Sequence, residues 1–233
     1  MPTQNHQTEA KASWDKVWDK VFQELEWGKY PGESLIRFIA RNFYKRDRKN
    51  TKLLEVGCGP GANVWYMARE GFDVYGMEGS KTAVERGKAR MEKEGVKVTF
   101  SIGDIVALPY QNGFFDGVVD AECLTHNNRE NLERILKEIR RVLKTGGLFY
   151  SRTFTEQVYL GKNPKQVGPN EFIEASDGPF FGRGFVRLTT REGVEELYGK
   201  YFKILSVDKN DYTEQNGKIL ISEWVIICQK EGK

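Results

Sequence analysis

Gly57-Cys58-Gly59-Pro60-Gly61 stands between a short apolar run at 53–56 and a stretch with helical spacing through Trp65, Met67 and Ala68. Glycines lack a Cβ, so the backbone there can turn sharply and bring N–H groups up to a ligand at a helix N-terminus. That is the chemistry of a nucleotide-type cofactor loop. Taken alone, the loop also satisfies a dinucleotide pattern through Gly57, Gly59 and Ala62, and plain tight turns use glycine too. Roughly 20 positions on, Glu78 ends the next apolar run, where a carboxylate accepts from both hydroxyls of an adenosine ribose and disfavours a 2′-phosphate. A solvated loop acid is the alternative. Gly103-Asp104-Ile105 follows a third apolar run. Asp104 can accept from an adenine amino group while Ile105 offers a backbone N–H and an apolar wall, although Asp is common in turns for its own reasons. Loop, acid and Asp together describe an adenosine site.

The elements that must position these residues are legible in the periodicity. Trp14, Val17, Trp18, Val21, Phe22 and Leu25 share a helical face, and Pro31 opens a second helix with Leu35, Ile36, Ile39, Ala40 and Phe43 as its stripe. Residues before about 10 read as disordered. Strands alternating with helices follow: strands at 53–56, 72–77, 96–102, 114–119 and 148–154, with a helix at 80–94 capped by Ser80 or Thr82. Leu132, Ile135, Leu136, Ile139, Val142 and Leu143 make the clearest helical stripe, and Lys144-Thr145-Gly146-Gly147 reads as its basic last turn and glycine stop. Residues 155–188 have no clean period, and a stretch of that length is more often a functional loop than a connection. Two apolar strands, 202–207 and 219–228, end the chain across a polar stretch and should pair antiparallel.

Composition bounds the answer further. The chain has 233 residues, 30% charged and 39% hydrophobic, and no apolar run near the roughly 18 residues that span a bilayer. The N-terminus lacks the apolar core of a secretory signal, so the expected compartment is cytoplasmic. Cys58, Cys123 and Cys228 are far apart and odd in number, which favours neither disulfides nor a metal site. A net charge of +3, with basic and acidic residues interleaved, does not argue for nucleic acid. The sequence does not specify an oligomeric state.

LLEVGCGPGAN (53–63), VYGMEGS (74–80), GDIVALPY (103–110), FFDGVVDAECLTHN (114–127) and LKEIRRVLKTGGLFYSRTF (136–154) resemble, in order and spacing, the successive motifs of class I S-adenosylmethionine-dependent methyltransferases. The resemblance covers about residues 50–155. It implies an α/β, Rossmann-like fold with a seven-stranded, mostly parallel sheet, an antiparallel terminal strand and N-terminal helices. It divides the chain into an N-terminal helical cap, 1–50, within the same domain as a core, 51–233, that carries an acceptor-side insertion at about 155–188. It places Glu55, Gly57, Gly59 and Gly61 under the methionine part of S-adenosylmethionine. Glu78 is the ribose acid with Gly79 and Ser80 beside it, Asp104 and Ile105 contact adenine, and Asp120 and Ala121 line the methionine side after the fourth strand. Glu78 departs from the more usual Asp but still presents a carboxylate.

The activity implied is methyl transfer to O, N or S of a small-molecule acceptor. A sulfonium is already an activated donor, so a base is needed only for a protonated acceptor. His126 follows the fourth strand at the mouth of the site, with Glu122 near it, and is the candidate base; ordering a turn is its other role. Trp14 and Trp18 fit a helical core face as well as a lid, whereas Trp27 falls off that pattern and is assigned to the cofactor site. Arg152, Lys162, Lys165, Arg183 and Arg187 could meet an acidic acceptor, but scattered basic residues are more often a solvated face. Two other readings compete. An NAD-dependent oxidoreductase accounts for the loop and Glu78 but not for the later motifs, and a non-catalytic S-adenosylmethionine-binding protein would bind without turnover.

Overall fold

The structure, a computed structural model, describes residues 13–232; the expected disorder before residue 10 lies outside them. Seven strands form one sheet in the order β3-β2-β1-β4-β5-β10-β9. They are β1 (Lys52–Val56), β2 (Asp73–Glu78), β3 (Thr99–Ile102), β4 (Phe115–Ala121), β5 (Leu143–Phe154), β9 (Lys203–Glu214) and β10 (Ile219–Gln229). The first five are parallel, and β10 runs antiparallel to both β5 and β9. This is the Rossmann-like order expected, with the antiparallel strand beside the fifth.

Strand periodicity explains the layers, because successive side chains point to opposite faces. Leu54, Val56, Val118 and Phe149 meet helices α5 (Arg129–Val142) and α6 (Arg191–Gly199) through Ile135, Ile139, Val194 and Tyr198. Their neighbours Leu53, Val119, Leu148 and Tyr150 meet α2 (Glu33–Phe43), α3 (Ala62–Arg69) and α4 (Lys81–Lys93) through Phe38, Ile39, Met67 and Met91. Both faces are covered, as a parallel sheet requires. Among the described residues no helix is long and apolar enough to cross a membrane.

Several elements differ from the sequence reading. Helix α1 spans Val17–Glu24, so Trp14 precedes it. α1 is tied to the start of α4, where Asp19 accepts from Ser80 Oγ at 2.6 Å and Thr82 N at 3.3 Å. Residues 144–147 are not a helix stop. α5 ends at Val142 and β5 begins at Leu143, with an irregularity: Phe115 pairs with Leu143 but Gly117 already pairs with Leu148. Gly146, at φ +78°, absorbs the extra residues while its N–H reaches Lys230 O at 2.8 Å. The polar stretch after residue 207 is strand as far as Glu214, because β10 supplies its ladder partners whatever its side chains are.

The insertion is ordered as well. β6 (Lys165–Gly168), β7 (Glu171–Ile173) and β8 (Val186–Arg187) form a small antiparallel sheet. Val158, Phe180, Val186 and Leu188 close a satellite core with Phe154, Ile219 and Ile221. The insertion is therefore a platform fixed to the end of the main sheet.

Ile139 is fully buried between α5 and the sheet. Ile139→Ala is expected to lower the unfolding free energy by about 2–5 kcal/mol with an unchanged denaturant slope, as read by urea titration.

Candidate functional site

The C-terminal ends of β1, β2 and β4 and the turn after β3 open onto one cavity. Glu78, Gly79, Gly103 and Ile105 line one end. Glu55, Gly57, Cys58, Gly59, Ala62 and Asn63 line the middle, and Ala121, Glu122, Cys123, His126 and Asn127 the other end. Ser13, Trp14, Asp15, Trp18, Phe22, Trp27 and Arg183 also line it. Nine of the predicted site residues meet here: Trp27, Glu55, Gly57, Gly59, Glu78, Gly79, Ile105, Ala121 and His126.

The glycine loop is held by its neighbour strand, since Gly57 N and Cys58 N both donate to Met77 O, at 2.8 and 3.1 Å. Gly57 sits at φ +64°, and a Cβ there would overlap the Cys123 side chain, so glycine is required on both counts. Glu78 then closes the loop. Its Oε2 accepts from Gly59 N at 2.9 Å and its Oε1 from Ser80 N at 2.8 Å, leaving further lone pairs on both oxygens. Burial raises the Glu78 pKa, and the backbone N–H groups oppose it.

Four predicted residues stand outside the cavity wall. Gly61, at φ +92°, packs against Val64 and Met91 at the start of α3. Ser80 caps α4 by accepting from Ala83 N at 3.1 Å. Asp120 is fully buried and faces the loop behind the wall: Oδ1 accepts from Cys123 N and Leu124 N, and Oδ2 from Ser151 Oγ at 2.6 Å. Its geometry shapes the turn after β4. Asp104 is taken up by the chain itself: Oδ2 accepts from Ser13 N at 2.6 Å, and Oδ1 from Ser13 Oγ and Val106 N. Trp14 lies against Gly79, where a Cβ would come within 2.6 Å of its ring.

One group in the middle of the cavity is conspicuously incomplete. Glu55 Oε1 accepts from Asn63 Nδ2 at 2.6 Å, but Oε2 is buried with no partner. Burial pushes the Glu55 pKa up to about 8 against the opposing Asn63 bond. An unpartnered carboxylate oxygen on a residue that lines the cavity beside the glycine loop fits a cationic ligand group.

At the far end Glu122 has φ +67°, rare for a residue with a Cβ. Its carboxylate pairs with Arg152, whose Nε lies 3.3 Å from Glu223 Oε1. Burial works against Glu122 ionisation, but Arg152 and a hydrogen bond from Glu223 outweigh it and hold its pKa low. Glu223, 1% exposed, is pushed up to about 8 by burial and so carries the shared proton. His126 Nδ1 lies 2.7 Å from Phe185 O. A carbonyl only accepts, so Nδ1 carries the hydrogen and Nε2 keeps its lone pair in the neutral ring. Burial lowers the His126 pKa to about 4, so the ring is neutral at pH 7. Its edge packs against Trp18, with centroids 4.6 Å apart.

Sequence reasoning missed Asn63 and Ser13, and it underweighted Trp14, Trp18 and Arg183. Asn63 was findable, as the second residue of α3 directly after the glycine loop. The assignment of the basic residues to a solvated face holds for Lys162 and Lys165, which are exposed, and fails for the arginines: Arg187 is buried, Arg152 is mostly buried and Arg183 lines the cavity.

Glu55 and Glu223 have folded pKa values of about 8 against ordinary values of 4.5, and Asp120 about 7 against 3.8. Folding raises each pKa, so the stability these groups contribute is complete at acid pH and is lost as pH rises towards about 8. The unliganded protein is expected to melt at a lower temperature at pH 8 than at pH 6. Glu55→Gln, neutral at both, is expected to shrink that difference in a thermal scan.

Residues 53–147 match the methyltransferase domain family. The chain is 33% identical over 174 residues to the sterol 24-C-methyltransferase of Yarrowia lipolytica, covering 67% of this chain and 45% of that protein. It is 32% identical over 143 residues to norajmaline N-methyltransferase of Rauvolfia serpentina, covering 60% and 47%. It spans under half the length of the curated relatives it matches. A S-adenosylmethionine-dependent methyltransferase structure from Methanosarcina mazei superposes with a TM-score of 0.71 at 23% identity, covering 84% of this chain and 98% of that one. The strand order agrees with these matches, and the chain belongs to the class I S-adenosylmethionine-dependent methyltransferases.

Proposed function

We propose that this chain transfers a methyl group from S-adenosylmethionine to a small-molecule acceptor. The observation that carries the reading is the single cavity joining Glu78, the glycine loop with its unpartnered Glu55 oxygen, and the post-β4 turn. A carboxylate for a ribose, a cradle for a chain carrying an ammonium, and the His126 end of the same cavity are what a donor and an acceptor need side by side. Bound there, S-adenosylmethionine supplies an activated methyl group. Glu78 and Gly79 hold the ribose, Ile105 walls the adenine, and Asp104 takes part through the Ser13 contact it already makes. Glu55, Gly57 and Gly59 hold the methionine portion with Gly61 fixing the loop, and Ala121 lines it. Asp120 positions the turn, and Trp27 closes the cavity above the loop.

The helical cap, 1–50, and the core from 51 act as one domain in this reading, with the insertion enclosing the acceptor. O, N and S are the acceptor atoms proposed, and the sterol relatives, named for carbon methylation, add carbon to that set. His126 is the proposed base. With Nδ1–H committed to Phe185 O, Nε2 takes a proton from an acceptor O–H or N–H.

Calorimetry with S-adenosylmethionine, S-adenosylhomocysteine and NAD tests the reading. Both sulfur ligands are expected to bind and NAD is not. Glu78→Ala is expected to weaken binding by about 1–3 kcal/mol, the cost of a buried polar contact left unpaired. The reverse preference would sink the proposal. An ammonium beside Glu55 favours its ionised form, so binding below pH 8 is expected to release a proton. Affinity is then expected to rise from pH 6 to 7.5, and Glu55→Gln to abolish the release in buffers of different ionisation enthalpy.

With an acceptor in hand, His126→Ala is expected to lower kcat by about 10²-fold or more with cofactor affinity unchanged. Because the His126 pKa is about 4, the wild-type rate is expected to show no limb from this group between pH 5.5 and 8. An unchanged kcat in the variant would remove His126 from the chemistry.

A further inference from the structure

Arg183 is the one arginine that lines the cavity, and its guanidinium makes no ion pair or side-chain hydrogen bond among the described residues. Its guanidinium carbon lies 5.5 Å from the centre of the Trp27 ring, a stacking that fixes the cation without satisfying its N–H groups. The loop that carries it is firmly held: Arg183 N donates to Phe180 O at 3.1 Å, and Phe185 O is the partner of His126 Nδ1. The guanidinium stacks on Trp27, whose ring meets that of Trp18 edge-on with centroids 6.0 Å apart, and it is near enough for its charge to act on His126 and Glu122.

The acids nearby do not neutralise it. Glu122 is engaged by Arg152 and shares the proton of Glu223, so that trio is already balanced. Asp15 lies against Gly184, but it is exposed, accepts from Val17 N at 3.0 Å and forms no ion pair with Arg183. Burial works against the Arg183 charge, with Glu122 alone supporting it from a distance. A guanidinium stays protonated and presents a planar fork of donors, so a half-buried fork without partners is complementary to a carboxylate, sulfonate or phosphate. Indole walls add a preference for a flat body.

We propose that Arg183 is the specificity anchor of the acceptor chamber and that the acceptor is a flat small molecule carrying an anionic group. The inference rests on the methyltransferase reading, because it takes the His126 end of the cavity as the acceptor chamber. Arg183 binds the anion and does not touch the reacting atoms. The neighbouring Asn127, which lines the same chamber with its Oδ1 buried and unpartnered, offers an acceptor to a hydroxyl or N–H elsewhere on the same molecule.

The test uses the full chain saturated with S-adenosylhomocysteine, whose binding is measured first; if wild type does not bind it, the underlying reading has failed and the inference with it. Indole-3-acetate, indole-3-acetamide and tryptamine are then titrated by ligand-detected NMR, together with 1-naphthyl phosphate and 1-naphthol. The anions are expected to bind at least about tenfold more tightly than their neutral partners, the scale of a charge-assisted hydrogen bond. Arg183→Gln is expected to erase that preference, Arg183→Lys to keep part of it, and Lys165→Gln, an exposed cation of the same insertion, to leave it unchanged. S-adenosylhomocysteine affinity is expected to stay within about twofold in all three variants. A preference for tryptamine, equal binding of anion and neutral partner, or no binding of any anion at millimolar concentration overturns the proposal. So does a loss of S-adenosylhomocysteine affinity in Arg183→Gln larger than the loss of anion affinity, which would assign Arg183 to the cofactor carboxylate.

Discussion

A parallel sheet ends in loops that cannot pair with each other, and the Glu78 carboxylate is how this chain resolves that at the ends of β1 and β2. It accepts from Gly59 N on one side and Ser80 N on the other, so one side chain gathers the glycine loop and the start of α4. Its burial is tolerable because those backbone N–H groups stand in for water. The same contacts leave the remaining lone pairs facing the cavity. Structure and binding thus use one carboxylate together: the loop adopts its shape around the acid that a ribose is proposed to meet.

The far end of the cavity is built on a different principle. There Glu122, Arg152 and Glu223 form a compact charged trio across β4, β5 and β10, and the trio fixes Glu122 in a left-handed backbone conformation at the strand end. Such a trio is an uncertain source of stability, since the desolvation of buried charges offsets much of their attraction. Its effect is geometric. It turns the chain after Ala121 so that His126 and Asn127 come round to the cavity, and Asp120 holds the same turn from behind through Cys123 N and Leu124 N.

The fold and the cofactor side were largely legible because they rest on local, one-dimensional signals. A glycine loop after an apolar run, an acid ending the next run and the α5 stripe each lie within a few residues of sequence, and Glu78, Gly57 and Ile139 sit where that pattern puts them. The turn at Gly146 was misread because a glycine after a helix serves a C-cap and a strand irregularity equally well, and the choice was made by Lys230 at the other end of the chain. The acceptor side was poorly legible for a related reason. Whether Arg152, Arg183 and Arg187 are solvated depends on contacts about 60–70 residues away in sequence, such as Arg152 with Glu223 and Arg187 with Asn127. Asp104 was read as open to a ligand because nothing local announces that Ser13, about 90 positions earlier, folds onto it.

The two ends of the cavity also handle their unpaired groups differently, and the difference follows from acid–base chemistry. A buried polar atom without a partner costs about 1–3 kcal/mol, a sizeable share of a net stability of about 5–15 kcal/mol. Glu55 has an escape: with its pKa near 8 it takes up a proton and sheds its charge when no cation is near, so it can be fully buried. An arginine has none, because its pKa lies too high for deprotonation to relieve it. The chain buries Arg187 where Asn127 O and Thr189 Oγ1 accept from it, although its Nη2 goes without a partner, and Arg152 between two carboxyls. Arg183 has neither kind of partner and stays partly exposed, stacked against Trp27. There water can meet the charge in the absence of a ligand, and the guanidinium still lines the cavity in which it would meet one.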